Sequence, residues 1–357
     1  TATDAQGASS ASTLTITVTG TNDAPVAQAA TAAATEDAAV LAGQLVATDI
    51  DQGAVLTFAT ANAPAGFTLN PNGSYSFNPG NAAYQSLAAG QTLPLTINYT
   101  ATDAQGASSA STLTITVTGT NDAPVAVARS GAGAEDSVVN GQLAASDVDQ
   151  GAVLTYALLD TAPAGFTLDA ATGAYSLDAA NAAYQSLALG QVVELTIPYS
   201  VTDQNGASST SNLVLTITGT NDAPVAQAAT GAATEDAALL TGQLVATDVD
   251  QGAVLTFAAA NPPAGFTLSG DGSYSFDPAN AAYQSLAAGQ TLPVVINYTV
   301  TDAEGASAAS TLTITVTGTN DAPVAQAGTA AATEDAATIT GQLVATDVDQ
   351  GAVLTYS

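Results

Sequence analysis

Residues 111–125 read Ser-Thr-Leu-Thr-Ile-Thr-Val-Thr-Gly-Thr-Asn-Asp-Ala-Pro-Val. Leu113, Ile115 and Val117 alternate with threonines, which is the pattern of a strand with one buried face and one solvated face. Gly119 follows the last alternating residue, and Pro124 restricts the backbone a few residues later. This stretch therefore predicts a β-strand that closes one domain, followed by a short linker.

The linker sequence identifies the chain as a repeat array. Asn-Asp-Ala-Pro-Val begins at Asn22, Asn121, Asn221 and Asn320, so the period is 99 or 100 residues. Self-similarity at a fixed period is the signature of a repeat architecture, and we expect the chain to be a segment of a longer array. The predicted organisation is the C-terminal part of a preceding repeat at 1–20, full repeats at 21–120, 121–220 and 221–319, and the N-terminal part of a following repeat at 320–357.

Each repeat is predicted to be an all-β sandwich. Seven short strands in about 100 residues, as in the first full repeat, are typical of an immunoglobulin-like fold. Asn72-Gly73 predicts a hairpin turn. One segment, 78–90, has Asn, Pro and Gly at positions that favour a two-turn helix. The predicted strands are 26–31, 44–48, 54–59, 67–69, 74–77, 95–101 and 111–118.

The composition excludes many kinds of functional site. The chain has 31 acidic residues, one basic residue and a net charge of −30, so it lacks the cations that bind nucleic acid or an anionic membrane surface. No apolar run approaches the ~20 residues of a membrane span. The absence of His and Cys excludes a Ser-His-Asp triad, a Cys nucleophile and zinc ligation. A hard, oxygen-ligated cation remains, chiefly calcium.

Six acidic positions recur in every full repeat, and strand order predicts where they meet. Glu36 and Asp37 follow the first strand, so they lie at the C-terminal end of their domain. Asp147 and Asp149 follow the second strand of the next repeat, and Asp203 lies in the turn before its last strand, so these three lie at the N-terminal end. The predicted second junction therefore combines Glu36 and Asp37 with the linker residues Asn121 and Asp122 and with Asp147, Asp149 and Asp203.

Such a junction needs a divalent cation. Two like charges ~4 Å apart repel by roughly 4 kcal/mol at an effective dielectric constant of 20. Calcium takes six to eight oxygen ligands with flexible geometry, whereas magnesium keeps more water, so we predict calcium. The candidate ligands are Asn22, Asp23, Asp49, Asp51 and Asp103 at the first junction; Glu36, Asp37, Asn121, Asp122, Asp147, Asp149 and Asp203 at the second; Glu135, Asp136, Asn221, Asp222, Asp248, Asp250 and Asp302 at the third; and Glu235, Asp236, Asn320, Asp321, Asp347 and Asp349 at the fourth.

The order of these motifs resembles that of the calcium-site motifs of cadherin repeats. The shared features are Glu in the first turn, Asp-x-Asp after the second strand, Asp-x-x-Gly before the last strand and Asn-Asp-Ala-Pro at the domain end. More closely, Thr-Gly-Thr-Asn-Asp-Ala-Pro-Val and Gly-Gln-Leu-Val-Ala-Thr-Asp-Val-Asp-Gln-Gly-Ala-Val-Leu-Thr resemble the VCBS repeats of giant bacterial RTX-type adhesins. The resemblance covers the whole chain.

The resemblance implies Ig-like or cadherin-like sandwiches joined end to end, with calcium between them. It also implies type I secretion and an extracellular role at the bacterial surface, in attachment or biofilm. Two departures from cadherins reduce the ligand count: the Asp-Arg-Glu motif is missing, and Ala123 replaces the second linker Asn. We therefore expect one to three ions per junction. The ligands implied at the second junction are Asn121, Asp122, Glu36, Asp147, Asp149 and Asp203.

Three interpretations of function are considered beside a catalytic one. The leading interpretation is a calcium-stiffened stalk that holds a distal binding domain away from the cell. The second is lateral self-association of chains into an extracellular fibre or matrix. The third, sugar binding by each repeat, requires a concave aromatic site, and no such cluster is evident. A hydrolase with Asp147 and Asp149 as paired carboxylates is disfavoured because the acids lie at junctions rather than in a cleft, so we expect no enzyme activity.

Overall fold

The computed structural model describes all of residues 1–357. Residues 1–20 contain β1 (Ala2–Thr3) and β2 (Ser9–Ser10). The first full repeat contains β3 (Val26–Ala27), β4 (Ala30–Thr35), β5 (Leu41–Gln44), β6 (Ala47–Thr48), β7 (Thr57–Ala59), β8 (Phe67–Leu69), β9 (Ser74–Phe77), β10 (Thr92–Thr102) and β11 (Ser108–Thr118). The second contains β12 (Val125–Val127), β13 (Arg129–Ala134), β14 (Val138–Gln142), β15 (Ala144–Ser146), β16 (Thr155–Leu158), β17 (Phe166–Leu168), β18 (Ala174–Asp178), β19 (Val192–Thr202) and β20 (Ser208–Thr218).

The third full repeat has the same order of strands. It contains β21 (Val225–Ala226), β22 (Ala229–Thr234), β23 (Leu240–Gln243), β24 (Ala246–Thr247), β25 (Thr256–Ala258), β26 (Phe266–Leu268), β27 (Ser273–Phe276), β28 (Thr291–Thr301) and β29 (Ser307–Thr317). Residues 320–357 contain β30 (Val324–Ala325) and β31 (Ala345–Thr346). The chain contains no helix, so the predicted all-β class is confirmed.

Each full repeat is a sandwich of a four-stranded and a three-stranded sheet. In the first repeat the orders are β4-β11-β10-β7 and β5-β9-β8, and β3 pairs with β6 beside them. Both other full repeats have the same topology. Only β4 and β11 pair in parallel, and every other pair in the repeat is antiparallel. Because β4 and β11 run in the same direction, the turn after β4 and the linker after β11 lie at the same end of the sandwich. The acids of that turn therefore lie beside the linker.

The core lies between the two sheets, on the face that the alternation predicts. β10 and β11 pair over all 11 residues. Their inward side chains include Leu113, Ile115 and Val117, which have no exposed surface, and Phe77 of the facing sheet is equally buried. Tyr99 of β10 is also buried. Each full repeat has its own core cluster, so each sandwich carries its own hydrophobic stabilisation.

The predicted strand 26–31 is two strands in different sheets. β3 pairs with β6, whereas β4 pairs with β11, and the chain passes between them at Gln28. The Gln28 amide donates to the Val46 carbonyl (3.1 Å), and the Gln28 carbonyl accepts from the Tyr99 hydroxyl. A change of pairing partner leaves the period-two pattern intact, so the sequence gives no sign of it. The predicted strand 44–48 is likewise divided, between β5 and β6.

The predicted helix at 78–90 is wrong. The segment is a chain of tight turns, in which Tyr84 N donates to Asn81 O (2.9 Å) and Leu87 N to Tyr84 O (3.0 Å). The Asn81 side chain accepts from Ala83 N (3.1 Å), so it begins a new turn and competes with a continuous helical ladder. A helix this short also has little intrinsic stability. Tyr84 and Leu87 are nevertheless buried.

Candidate metal centre

Parallel pairing of β4 with β11 brings the first turn of each repeat to its C-terminal end. Glu36 follows the last residue of β4, and its amide donates to the carbonyl of Thr118, the last residue of β11 (2.9 Å). Its side chain is 1% exposed. The Glu36 Oε2 atom accepts from the amide of Thr120 in the linker (3.2 Å). This carboxylate is therefore held against the start of the linker.

Antiparallel pairing brings the other acids to the N-terminal end of the next repeat. Asp203 lies in the turn between β19 and β20, and its Oδ1 accepts from the amides of Asn205 (2.8 Å) and Ala207 (2.9 Å). Asp147 and Asp149 lie in the loop before β16, which pairs with the C-terminal residues of β19. Asp147 Oδ1 accepts from Asp149 N (2.9 Å), so this loop is tightly folded.

The linker connects the two groups of acids. Asn121 Nδ2 donates to Asp203 Oδ2 (2.7 Å), and the Asn205 side chain donates to Asn121 Oδ1. The amide of Asp122 donates to Asp149 Oδ2 (3.0 Å). The equivalent bonds at the third junction are Asn221 to Asp302 (2.9 Å) and Asp222 to Asp250 (2.9 Å). The linker backbone is thus fixed with its own acid between the two domains.

Four carboxylates at the second junction each leave one buried oxygen without a hydrogen-bond partner. These atoms are Glu36 Oε1, Asp122 Oδ2, Asp147 Oδ2 and Asp149 Oδ1. The same four positions of the third junction do so, with Glu135 Oε2, Asp222 Oδ2, Asp248 Oδ2 and Asp250 Oδ1. Buried polar atoms normally have a partner, and a buried unpaired charge is costly. The donor set consists of oxygens only, which fits a calcium ion and does not fit a soft metal.

At the third junction the geometry suits a single ion. One carboxylate oxygen from each of Glu135, Asp222 and Asp250 lies within 4.8 Å of the other two. These residues come from the upper repeat, the linker and the lower repeat, respectively. An ion bound by all three would join the two domains and their linker at one point.

The acids at the second junction also change one another's pKa values. Burial is the main cause of the raised pKa of Glu36, and Asp122, Asp37 and Asp149 add to it. Burial likewise raises the pKa of Asp122, with contributions from Asp37, Asp149 and Asp147. Asp203 behaves differently, because the hydrogen bonds from Asn121 and the turn amides hold its pKa below the ordinary value. A divalent cation would relieve the repulsion between Glu36, Asp122 and the acids around them.

Asp37 and its equivalents adopt a left-handed backbone conformation. The φ angles are 61° at Asp37, 61° at Asp136 and 59° at Asp236, and Asp tolerates this region better than most residues. The side chains remain exposed, and Asp136 Oδ2 accepts from the Thr220 hydroxyl (3.5 Å). Asp37 and Asp136 therefore lie beside their junctions, where each raises the pKa of the linker Asp.

The two outer junctions contain part of the set. At the first, Asn22 Nδ2 donates to Asp103 Oδ2 (2.8 Å) and Asp23 N to Asp51 Oδ2 (3.0 Å), and Asp49 Oδ2 is buried without a partner. At the fourth junction the linker residue is Asp321. Asp236, Asp349 and Asp347 raise its pKa, although burial is the larger cause. The chain thus brings the predicted residues of all four junctions to the ends of repeats, whereas their role as ligands stays a prediction.

Sequence reasoning missed one contact that recurs at the second, third and fourth junctions. The amide of Gln150 donates to the carbonyl of Ser86 in the preceding repeat (3.0 Å), and Gln251 and Ser186 form the same bond (3.1 Å). Both segments that form this bond lie in recurring motifs, Asp-x-Asp-Gln-Gly and Tyr-Gln-Ser-Leu, and this recurrence is the only sign of the contact in the sequence. Backbone atoms make the bond, however, so the residue types do not predict it.

The raised pKa values predict that the ion-free chain gains stability as the pH falls toward 4.5, the ordinary pKa of glutamate. In that window the folded state binds more protons than the unfolded state at Glu36 and Glu135, whose pKa values are raised chiefly by burial. The stabilisation is full below the ordinary pKa and is lost as the pH rises through the raised pKa. Thermal melts in metal-free buffer, from neutral pH to about 5, measure the effect.

The lowered pKa of Asp203 does not interfere with that test. Its contribution is present above the ordinary aspartate pKa of 3.8 and is lost only as the pH falls through a still lower value. Saturating calcium should reduce the gain, because protons then displace a bound ion. If the melting temperature in metal-free buffer stays constant or decreases as the pH is lowered from neutral to ~5, the prediction is contradicted.

Comparison with known proteins agrees with the fold. The bacterial cadherin-like domain family matches residues 22–119 and 221–318, together more than half of the chain, and the bacterial Ig domain family matches residues 121–216. No curated protein sequence matches the chain. The structure contains no helix with the length and hydrophobicity that crossing a membrane requires.

Two cadherin ectodomain structures resemble this one. Human CDH23 EC21-23 superposes with a TM-score of 0.56 at 16% sequence identity, covering 82% of this chain and all of that one (100%). Mouse Cadherin-23 EC22-24 gives a TM-score of 0.51 at 16% identity, covering 84% and 99% of the two chains. At such identities the likeness establishes the fold alone. The family matches go further: the chain belongs to the bacterial cadherin-like domain family, with a bacterial Ig domain between its two matched regions.

Proposed function

We propose that the chain is a calcium-stiffened part of an extracellular stalk. The observation that carries this proposal is the set of four buried, unpartnered carboxylate oxygens that recurs at the second and third junctions. Without a bound cation, the carboxylates of such a junction repel one another and also lose their hydration by being buried. A cation that takes six to eight oxygens removes both penalties at once.

Calcium fits this donor set better than magnesium. Glu36, Asp122, Asp147 and Asp149 supply carboxylate oxygens, and neighbouring backbone carbonyls or the Asn121 amide oxygen can complete the shell. Magnesium requires near-ideal octahedral geometry and keeps several waters. The ligand assignment covers all four junctions, and one to three ions occupy each complete junction.

Calcium binding converts a hinge into a rigid joint. The domains are 21–120, 121–220 and 221–319, flanked by parts of two others, and their linkers are only a few residues long. The longest strands would span about 36 Å, so one sandwich measures roughly 40–45 Å and the chain makes a rod on the order of 150 Å. With ions shared between upper domain, linker and lower domain, force passes along the array without bending it.

The family supports an adhesion role outside the cell. Tandem bacterial cadherin-like and Ig domains suggest an extracellular, adhesion-type repeat region, and such domains are typically structural modules rather than enzymes. The VCBS-like sequence leads us to propose, more narrowly, a spacer in an RTX-type surface adhesin that is exported by type I secretion. Ion-free domains would then pass through a low-calcium cytoplasm as a flexible chain and stiffen outside.

A fibre or matrix component is the second candidate function. It is favoured by an exposed valine that recurs once per repeat: Val26, Val125, Val225 and Val324 are 60–64% exposed. Isolated exposed apolar residues are normal on soluble proteins, however, so this observation is the weaker one. Sedimentation at increasing protein concentration with calcium distinguishes the two, because only the fibre interpretation requires association.

Small-angle X-ray scattering tests the stalk directly. We expect an extended, narrow particle at millimolar calcium and a broader distribution of sizes in chelator, because charge repulsion then opens the hinges. Potassium chloride at matched ionic strength is the control, since screening alone also weakens repulsion. A compact particle in calcium, with the domains folded back on one another, would rule out the spacer role.

A further inference from the structure

We propose that the second, third and fourth junctions also contain a metal-independent latch, which keeps a fraction of the ion-free junctions closed in the ion-binding orientation although charge repulsion opens the rest. The latch is the contact between the exit segment of the upper repeat (residues 81–88 in the first) and the acidic turn of the lower repeat (residues 149–152 in the second). This inference does not rest on calcium binding, and its test separates the two.

The contact recurs at all three junctions that have both partners. Gln150 N donates to Ser86 O (3.0 Å), and the same bond joins Gln251 to Ser186 (3.1 Å) and Gln350 to Ser285 (3.0 Å). At the last two junctions a side-chain bond accompanies it, from Gln191 to Gln251 and from Gln290 to Gln350, each 3.4 Å. None of these groups is charged, so chelation leaves the contact intact.

The exit segment is a rigid half of the latch. Tyr84 is buried and its hydroxyl donates to Ala65 O (2.7 Å), which fixes the segment to the core. Gly119 N donates to Gln91 O (2.8 Å), and a Cβ at Gly119 would lie 2.4 Å from Leu87 O. The linker therefore packs directly on the segment, and only glycine permits that approach. Ser86 O keeps a fixed position relative to the linker.

The acidic turn is the other rigid half. Ala152 N donates to Asp149 O (3.2 Å), and Gly151 has a φ of 81°, which together define a type II turn with Gln150 at its second position. The latch donor therefore lies next to Asp149, one of the carboxylates with an unpartnered oxygen. Closing the latch places that carboxylate beside the linker and the upper domain.

This arrangement couples the latch to ion affinity. If only the closed junction binds calcium with all its ligands, the apparent affinity scales with the fraction of ion-free junctions that are closed. A net hydrogen bond typically changes such an equilibrium by roughly 2- to 12-fold. Loss of the latch should therefore weaken calcium binding by that factor, although no ligand is removed.

Gln150→Pro removes the latch N–H, and the proline Cδ takes the direction of the former hydrogen bond to Ser86 O, so the closed junction is disfavoured by at least the loss of that bond. Proline is favoured at the second position of a type II turn, so the turn itself is retained while the N–H is lost. Gln52→Pro is the matched control, because Gln52 occupies the same turn, with Ala54 N to Asp51 O at 3.2 Å and Gly53 at a φ of 81°. The Gln52 amide makes no hydrogen bond to another repeat.

The readout is a distance distribution in the full chain. The protein has no native Cys, so cysteines at the exposed positions Thr68 and Thr167 take spin labels on the first and second repeats. In chelator we expect a narrow population of closed junctions. Gln150→Pro should lower the ratio of the narrow to the broad population by at least about 2-fold, and Gln52→Pro should leave this ratio unchanged. The calcium midpoint of the same pair should rise by the same factor.

The outcomes separate the latch from the calcium proposal. Equal distributions for the parent and Gln150→Pro in chelator, or equal changes from both proline variants, would overturn the latch even if calcium binds. A narrow population lost only in Gln150→Pro supports the latch even if calcium has no effect. Gln251→Pro, with labels at Thr167 and Thr267, repeats the measurement at the third junction, and circular dichroism verifies that each variant is folded.

Discussion

Chelation of calcium is expected to lower the melting temperature of the chain by about 10–20 °C when the free calcium had been one hundred times the Kd. An ion that binds only the folded state stabilises it by about 2.7 kcal/mol when its free concentration is one hundred times the Kd. For a domain of 60–100 residues, each kcal/mol corresponds to roughly 4–8 °C. Differential scanning calorimetry of the chain in millimolar calcium and in EDTA measures the shift, and added calcium should reverse it.

Two controls make the calorimetric result specific. Magnesium at the same concentration should restore little of the lost stability, because it binds poorly to a flexible, all-protein oxygen site. Potassium chloride at equal ionic strength should recover only the part that comes from screening. Identical melting curves in calcium and in chelator would refute the calcium assignment and leave the buried carboxylate oxygens without an explanation.

The second large effect is expected from Asp149→Asn and Asp147→Asn. Each substitution removes a charge with little change in side-chain size. Asp149 Oδ1 and Asp147 Oδ2 are both buried without a hydrogen-bond partner. Even residues that only support a metal ligand typically change affinity by about 10- to 100-fold, so each ligand substitution should weaken calcium at the second junction at least as much.

The loss should be confined to one junction. Interfaces in a repeat array depend mainly on their nearest neighbours. Calcium should therefore still protect the linker amides near Asn221 from hydrogen exchange, while protection near Asn121 is lost. Asp169→Asn is the matched control, since Asp169 accepts from the Ala171 (2.9 Å) and Thr172 (3.0 Å) amides in a turn outside any junction. If Asp169→Asn weakens calcium binding as much, the ligand assignment fails.

The sequence was sufficient to predict the sandwich and the residues of each junction. Alternation along 111–118 predicts both the strand and its buried face, because burial of one side of a sheet requires a period of two. Strand order then assigns Glu36, Asp122 and Asp149 to a common junction, and in the structure the last two raise the pKa of the first. These conclusions depend on residue type and spacing, which the sequence contains in full.

The sequence was insufficient where backbone contacts decide the structure. Segment 78–90 has helical end signals, yet the Asn81 side chain and the buried Tyr84 favour successive turns. The bond between Gln150 and Ser86 joins two main chains across a junction, so no side-chain pattern reports it. Likewise, alternation does not indicate that residues 26–31 change sheets at Gln28.

One segment occurs twice in the chain with different structures, so it distinguishes what the sequence determines from what the tertiary structure decides. Residues 1–27 and 100–126 have identical sequences. In the full repeat, β11 extends over 11 residues between β4 and β10, and Leu113 and Ile115 have no exposed surface. The chain contains only the last part of the repeat to which residues 1–20 belong, so there β2 is limited to Ser9–Ser10, which pair with Ala2–Thr3, and the equivalent Leu14 and Ile16, without a facing sheet, are 86% and 75% exposed.

The sequence alone therefore determined the alternation, the period of the array and the acids that each repeat carries. Tertiary structure decided whether the alternating segment became a strand, because its amides and carbonyls need neighbouring strands and its apolar face needs a facing sheet. It also decided that the acids meet, since parallel pairing of β4 with β11 sends Glu36 to the end where the linker begins. The unpartnered oxygens exist only after the chain has folded, because burial creates them.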